Sequence, residues 1–263
     1  MQVRPRASLP VPAVQLAPVR ASRDAVAVFE RRQPKQFLAA ALLVGLAACT
    51  APPRPEGALA SPEAPAPAPG PGTLFRVVES DVTIEVYRDG PLAQLGHNHV
   101  IASTSLAGQV MLREPLSDSS FVLELPLTSL TVDEPARRSA AGDAFPDNLT
   151  EEDKAGTRRN MLSDALLDAD QFPVVQLSSL AISPTATGLS ARTRVTIAGR
   201  EREIEVPIVV RPEGERLSVS GEFALTHAGL GLTPFSVAMG ALRVRDDMRV
   251  VYRLVARRDA GAS

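Results

Sequence analysis

Tryptophan is absent from this 263-residue chain, and aromatic residues of all kinds make up only 4% of it. That shortage argues against a surface of stacking platforms for bases or sugars. An excess of one charge is missing too. Lys and Arg number 28 and Asp and Glu 30, a net charge of -2, so there is no electrostatic footprint for nucleic acid. Lysine itself is nearly missing, with only Lys35 and Lys154; this reads as GC-rich codon usage rather than function. The single cysteine, Cys49, excludes an internal disulfide and a cysteine-rich metal site. No Gly-x-Ser-x-Gly nucleophile elbow and no phosphate-binding glycine loop occurs. Asp164, Asp168 and Asp170 fall near an expected helix end and read as capping or solvated groups; Asp246-Asp247 reads as a turn before the last strand. The chain is long enough for one or two domains, and its 44% hydrophobic content is ordinary for a globular protein.

What is present is organised in blocks. Residues 1–48 read as an export signal region. Arg31, Arg32 and Lys35 precede Phe37-Leu38-Ala39-Ala40-Ala41-Leu42-Leu43-Val44-Gly45-Leu46-Ala47-Ala48, a basic stretch followed by an apolar run and small residues. This is signal-peptide anatomy, and the run is shorter than the roughly 20 residues that span a bilayer. A start codon placed too far upstream explains the irregular stretch before Arg31. The pair Arg31-Arg32 leaves the export route open. Leu46-Ala47-Ala48-Cys49 resembles a bacterial lipobox, in which the cysteine is lipidated and becomes the mature N-terminus. Residues 49–72 are then the lipidated Cys49 and a tether rich in Pro and Ala, too poor in bulky side chains to form a core. Thr50 stands where some inner-membrane lipoproteins carry Asp, which favours the outer membrane. The expected address is extracytoplasmic: periplasmic and lipid-anchored.

Residues 73–258 carry the folded domain, and 259–263 are a tail. Apolar residues alternate with polar ones at Val82, Ile84 and Val86, at Val195 and Ile197, at Leu217, Val219, Phe223 and Leu225, and at Val250, Tyr252 and Leu254. Period two means half-buried strands. Ala198-Gly199-Arg200 reads as a hairpin turn. Many short strands between turn signals predict an all-β antiparallel barrel or sandwich. One helix breaks the pattern. It starts at Thr150-Glu151-Glu152-Asp153 with a cap and first-turn acids, runs through Met161, Leu162, Ala165 and Leu166, and stops before Pro173. Its expected place is over or beside a barrel mouth.

The stretch Asn160–Pro173, followed by Val174-Val175-Gln176-Leu177-Ser178-Ser179, is similar to the signature of the YceI-like family, in which a helix and an aromatic-Pro pair lead directly into a strand. Val195–Ile208 resembles that family's paired strands around a Gly turn. His99-Val100 leading to Gly108, and the final strand from Val244 to Leu254, match as well. The resemblance implies an antiparallel lipocalin-like barrel whose long interior pocket takes an isoprenoid chain, such as a polyprenyl lipid or a quinone tail. It implies an extracytoplasmic address and carries over no catalytic residue. His227–Phe235 departs from the usual segment, which bears on the identity of the ligand.

Patterning alone leaves the barrel interior hollow or filled. A lipid chain gains roughly 0.8 kcal/mol per buried methylene in an apolar lining, and an eight-stranded barrel is wide enough for one small ligand. The histidines are His97, His99 and His227. On an extended strand His97 and His99 share a face with Leu95 and Ile101, and His227 continues the parity of Leu217, Val219, Phe223 and Leu225. His97, His99, His227, Phe223 and Leu225 are therefore the candidate ligand-binding residues. Three readings of the imidazoles stay open: zinc with a fourth position free, hydrogen bonds to a ligand head group, or a purely structural role in bonds to backbone carbonyls that only hold a turn. The reading as a whole is a non-enzymatic lipoprotein that carries or senses an isoprenoid lipid or quinone. The alternative is a metal- or cofactor-assisted site on the three histidines. Oligomeric state is not legible.

Overall fold

The structure, a computed structural model, describes residues 71–186 and 188–261. The expected signal region, Cys49 and all but the end of the expected tether lie outside the described residues.

Alternation builds the strands. In β7 (Gly188–Ile197) the inward positions Ala191, Thr193, Val195 and Ile197 are all buried while Arg192 and Arg194 face out. The other long strands are β1 (Gly72–Asp89), β6 (Val174–Thr185), β8 (Arg200–Glu213), β9 (Arg216–Thr226) and β11 (Leu242–Arg258). Shorter ones are β2 (His99–Ser103), β3 (Ala107–Arg113) and β4 (Ser120–Pro126), and two-residue pieces form β5 (Thr131–Val132) and β10 (Ser236–Val237). Every pairing is antiparallel. Neighbours run β11-β9-β8-β7-β6-β4-β3-β1, and β1 closes the ring on β11 from Phe75↔Arg258 to Asp89↔Arg243. β1 pairs with β3 along its first half and with β2 along its second. β2 and β3 are thus two halves of one barrel position, and the result is a closed eight-stranded antiparallel barrel. Closure removes the free sheet edges that would otherwise invite pairing with another chain.

The β7–β8 turn matches the sequence reading. Ile197 pairs with Arg200, and Ala198 and Gly199 both take positive φ, 47° and 70°, as a two-residue type I′ turn requires.

Three expectations need correction. First, there are two α-helices rather than one. α1 (Pro135–Ala141) begins with proline at its first position and ends at Gly142, φ 89°, a Pro-start and Gly-stop pair that was legible. Second, α2 (Glu151–Leu162) has the expected start. Thr150 Oγ1 accepts from the Asp153 N–H while Asp153 accepts from the Thr150 N–H, a reciprocal capping box. It ends earlier than expected, because the chain reverses at Ser163: the N–H groups of both Leu166 and Asp168 donate to its carbonyl. Third, Asp246-Asp247 is not a turn but lies inside β11, where Asp247 pairs with Thr226.

Candidate functional site

The barrel is hollow. A cavity of about 400 Å³ runs through its interior, within the range of small-molecule sites. Its wall is made of inward-facing, mostly aliphatic side chains from β1 to β11, joined by the aromatic rings of Phe223 and Tyr252. Burial pushes the Tyr252 hydroxyl's pKa up, and the group donates to the Pro207 carbonyl at 2.9 Å. Toward the end where β1 begins, Leu112, Leu116 and Phe121 line the cavity. The opposite end, the mouth, gathers the start of β2, the end of β9 and helix α2. Arg158 ties α2 down by donating to the Leu130 and Thr128 carbonyls, which turns Thr157, Asn160 and Met161 to the cavity.

Two imidazoles stand at this mouth. His99 opens β2 and lines the cavity. Its Nδ1 lies 2.6 Å from Asp133 Oδ2. An ionised carboxylate only accepts, so Nδ1 carries the proton and Nε2 is the nitrogen left for a ligand. His227, 6% exposed, also lines the cavity. It lies just past β9 and its Nδ1 donates to the Asp246 carbonyl at 2.9 Å, which leaves its Nε2, like that of His99, as the nitrogen open to a ligand.

Asp133 is the hub behind His99. It is fully buried, in the left-handed region at φ 56°. Its Oδ1 accepts from Arg138 at 2.5 Å and from the Val100 N–H at 2.8 Å. Arg138, itself 1% exposed, also donates to the Asn98 and Pro146 carbonyls. Burial alone would push the Asp133 carboxyl up. The hydrogen bonds from His99, Val100 and Arg138 together outweigh it and hold the carboxyl below its ordinary range. The ion pair, with its neighbours, fixes the imidazole's position and tautomer much as an outer-shell carboxylate orients a metal-binding histidine.

The structure sorts the candidate residues. His99, His227, Phe223 and Leu225 all face the cavity. His97 does not line it. The Gly90-Pro91 turn and a helical turn at Ala93–Leu95 break the strand that was expected to carry it, and Leu95 is 72% exposed rather than inward. The parity argument for His227 reached the correct face although the strand stops at Thr226. Among the described residues, no three of His, Cys, Asp and Glu are placed to hold a metal ion. The histidines therefore do not form the ligand set that their number suggested, and the metal-assisted alternative lacks its site. Asp133, Arg138, Thr157 and Asn160 were missed. Nothing local distinguishes buried Arg138 from its neighbour Arg137, which reaches outward to Asp81 at 2.6 Å. The start of α1 was the one available signal.

Solved structures with similar architecture include Burkholderia cenocepacia BcnA, at 16% identity and a TM-score of 0.49, covering 67% of this chain and 95% of that one. A polyisoprenoid binding domain from Saccharophagus degradans, implicated in plant cell wall breakdown, follows at 11% and 0.44, covering 70% and 98%. A Campylobacter jejuni YCEI protein matches at 11% and 0.39, covering 59% and 81%. No curated protein matches the chain significantly. The family model for the YceI-like domain matches residues 79–256, most of the barrel from within β1 to near the end of β11, and the chain belongs to that family.

Proposed function

We propose that this protein is a carrier or sensor that holds one long apolar chain in the barrel, with the chain's polar end at the mouth, and that it is not an enzyme. The observation that carries this reading is the hollow, aliphatic interior capped at one end by two imidazoles. The isoprenoid class of the ligand, a polyprenyl lipid or a quinone tail, comes from the family resemblance. The mouth chemistry refines it. His99 and His227 each offer an Nε2 acceptor, which suits a head group that donates a hydrogen bond, such as an alcohol or a quinol hydroxyl. Asn160, which also lines the cavity, can supply a donor.

Titration of the delipidated full chain with a polyprenol in detergent tests this. Saturation at one polyprenol per chain is expected. The double variant His99→Ala, His227→Ala is expected to weaken polyprenol binding roughly tenfold, in line with loss of the one hydrogen bond that the hydroxyl can donate to either imidazole, while binding of the corresponding hydrocarbon is unchanged. Equal losses for both ligands would remove the head-group role. No binding of either by the unmodified chain would remove the carrier reading.

We further propose that the protein is exported and anchored through a lipidated Cys49, with the Pro- and Ala-rich stretch after it as the tether. The support is the sequence: a basic stretch, an apolar run, small residues and a lone cysteine in that order. Cys49→Ser is expected to abolish acylation and to move the protein from the membrane to the soluble fraction on cell fractionation. A variant that stays acylated and membrane-bound would refute the anchor.

A further inference from the structure

Exposed large apolar side chains cluster at the mouth. Leu92, Leu95, Phe235, Val237 and Met239 are all exposed, and they come from two short segments that lie side by side. The Leu92 N–H donates to the Ala241 carbonyl at 2.8 Å, and Val237 pairs with Leu242. Met239 is completely exposed. It and Ala238 both occupy the left-handed region, φ 54° and 50°, a conformation that is unfavourable for non-glycine residues. The ridge is continuous with the interior, because Phe235 is 42% exposed and also lines the cavity.

The charge pattern at the ridge is distinctive. Residues Ala228 to Leu242 contain no charged side chain, nor do Gly90 to Gly96, in a chain that is 22% charged. Charges return at the flanks, where Arg243 pairs with Asp89 at 2.7 Å and Arg245 with Asp247 at 2.5 Å, while Arg88 donates to the Gly96 carbonyl and Asp246 accepts from the Ala228 N–H. An uncharged apolar tip whose flanking charges are engaged in ion pairs or backbone hydrogen bonds fits a surface that takes up hydrocarbon.

We propose that this ridge docks on a lipid bilayer, so that an apolar chain passes between membrane and cavity without crossing water. This rests on the carrier reading above. Five side chains are few beside the 20–30 residues a side of a stable protein interface, whereas shallow insertion of a few apolar residues is how monotopic surfaces hold a membrane.

The test uses the full chain with Cys49→Ser and one new cysteine, either Met239→Cys or Val122→Cys, labelled with an environment-sensitive fluorophore. Val122 is exposed on the barrel wall, away from the mouth. On addition of phosphatidylcholine vesicles the label at 239 is expected to shift to the blue and to be quenched by spin-labelled lipid, at high salt as well as low. The label at 122 should stay aqueous. Adding Leu92→Asp and Leu95→Asp to the first variant is expected to lower vesicle partitioning at least tenfold. Equal behaviour of the two labels, or a shift that high salt abolishes, overturns the proposal. The vesicles contain no isoprenoid, so docking can fail while polyprenol titration succeeds, and the reverse.

Discussion

Asp133→Ala is expected to lower the free energy of unfolding by about 3–5 kcal/mol, the usual loss when one partner of a buried ion pair is removed. The change leaves the Arg138 guanidinium, 1% exposed, without its counter-ion. It also takes the acceptor from His99 Nδ1 and from the Val100 N–H. For a domain of this size the loss corresponds to a fall in Tm on the order of 10 °C. Asp81→Ala is the matched comparison. Asp81 also pairs with an arginine, Arg137, at 2.6 Å, but it is about half exposed, so its removal should cost about 0–1 kcal/mol. Equal losses for the two variants, by urea unfolding, would show that the buried cluster is not a special element of the fold.

The same carboxylate sets an acid limit. Its folded-state pKa lies below its ordinary value, so folding favours the ionised form. That contribution is fully present above the unfolded value of about 3.9 and is lost as pH falls through the folded value. Stability of the unmodified protein should therefore fall from about pH 4–5 downward, and Asp133→Ala should show a shallower acid slope. Indistinguishable slopes would mean that other carboxylates dominate acid unfolding.

Val195→Trp is expected to reduce bound ligand at least tenfold while leaving the barrel folded. Val195 is buried at 3% exposure and lines the cavity from near the end of β7. In a filled core, such an enlargement forces strain of about 1–3 kcal/mol. Here the cavity of about 400 Å³ accommodates the ring, so the expected cost is below about 1 kcal/mol, and the ring takes space from the ligand. Since the chain has no other tryptophan, its emission reports the site directly. A blue-shifted emission maximum and an unchanged Tm are expected, with ligand lost. A large fall in Tm with ligand retained would mean that the cavity is not the binding site.

How far these residues could be read beforehand depends on how local the cause is. In β9, Leu217, Val219, Phe223 and Leu225 alternate because one face is wet and the other faces the cavity, and period two records that directly. The Ala198-Gly199 turn was equally local. The broken barrel position shared by β2 and β3 was not legible, because the break at residues 104–106 matters only once β1 lies beside both halves. The His99–Asp133–Arg138 cluster joins β2 to the start of α1 across 34 residues, and no period links them. His97 was misplaced because an extended strand was assumed through Gly90-Pro91 and the helical turn after it. Hollowness itself has no local signature: the same aliphatic alternation serves a packed barrel and an open one.

The central claim is that the barrel holds one isoprenoid chain. Its most direct test is organic-solvent extraction of the Cys49→Ser protein, purified without detergent from the soluble fraction of its native host, followed by mass spectrometry of the extract and quantification against protein. The account predicts one isoprenoid lipid or quinone per chain, lost in Val195→Trp. A protein that yields no isoprenoid, or yields only the membrane's bulk phospholipids in equal amount from both proteins, would contradict it.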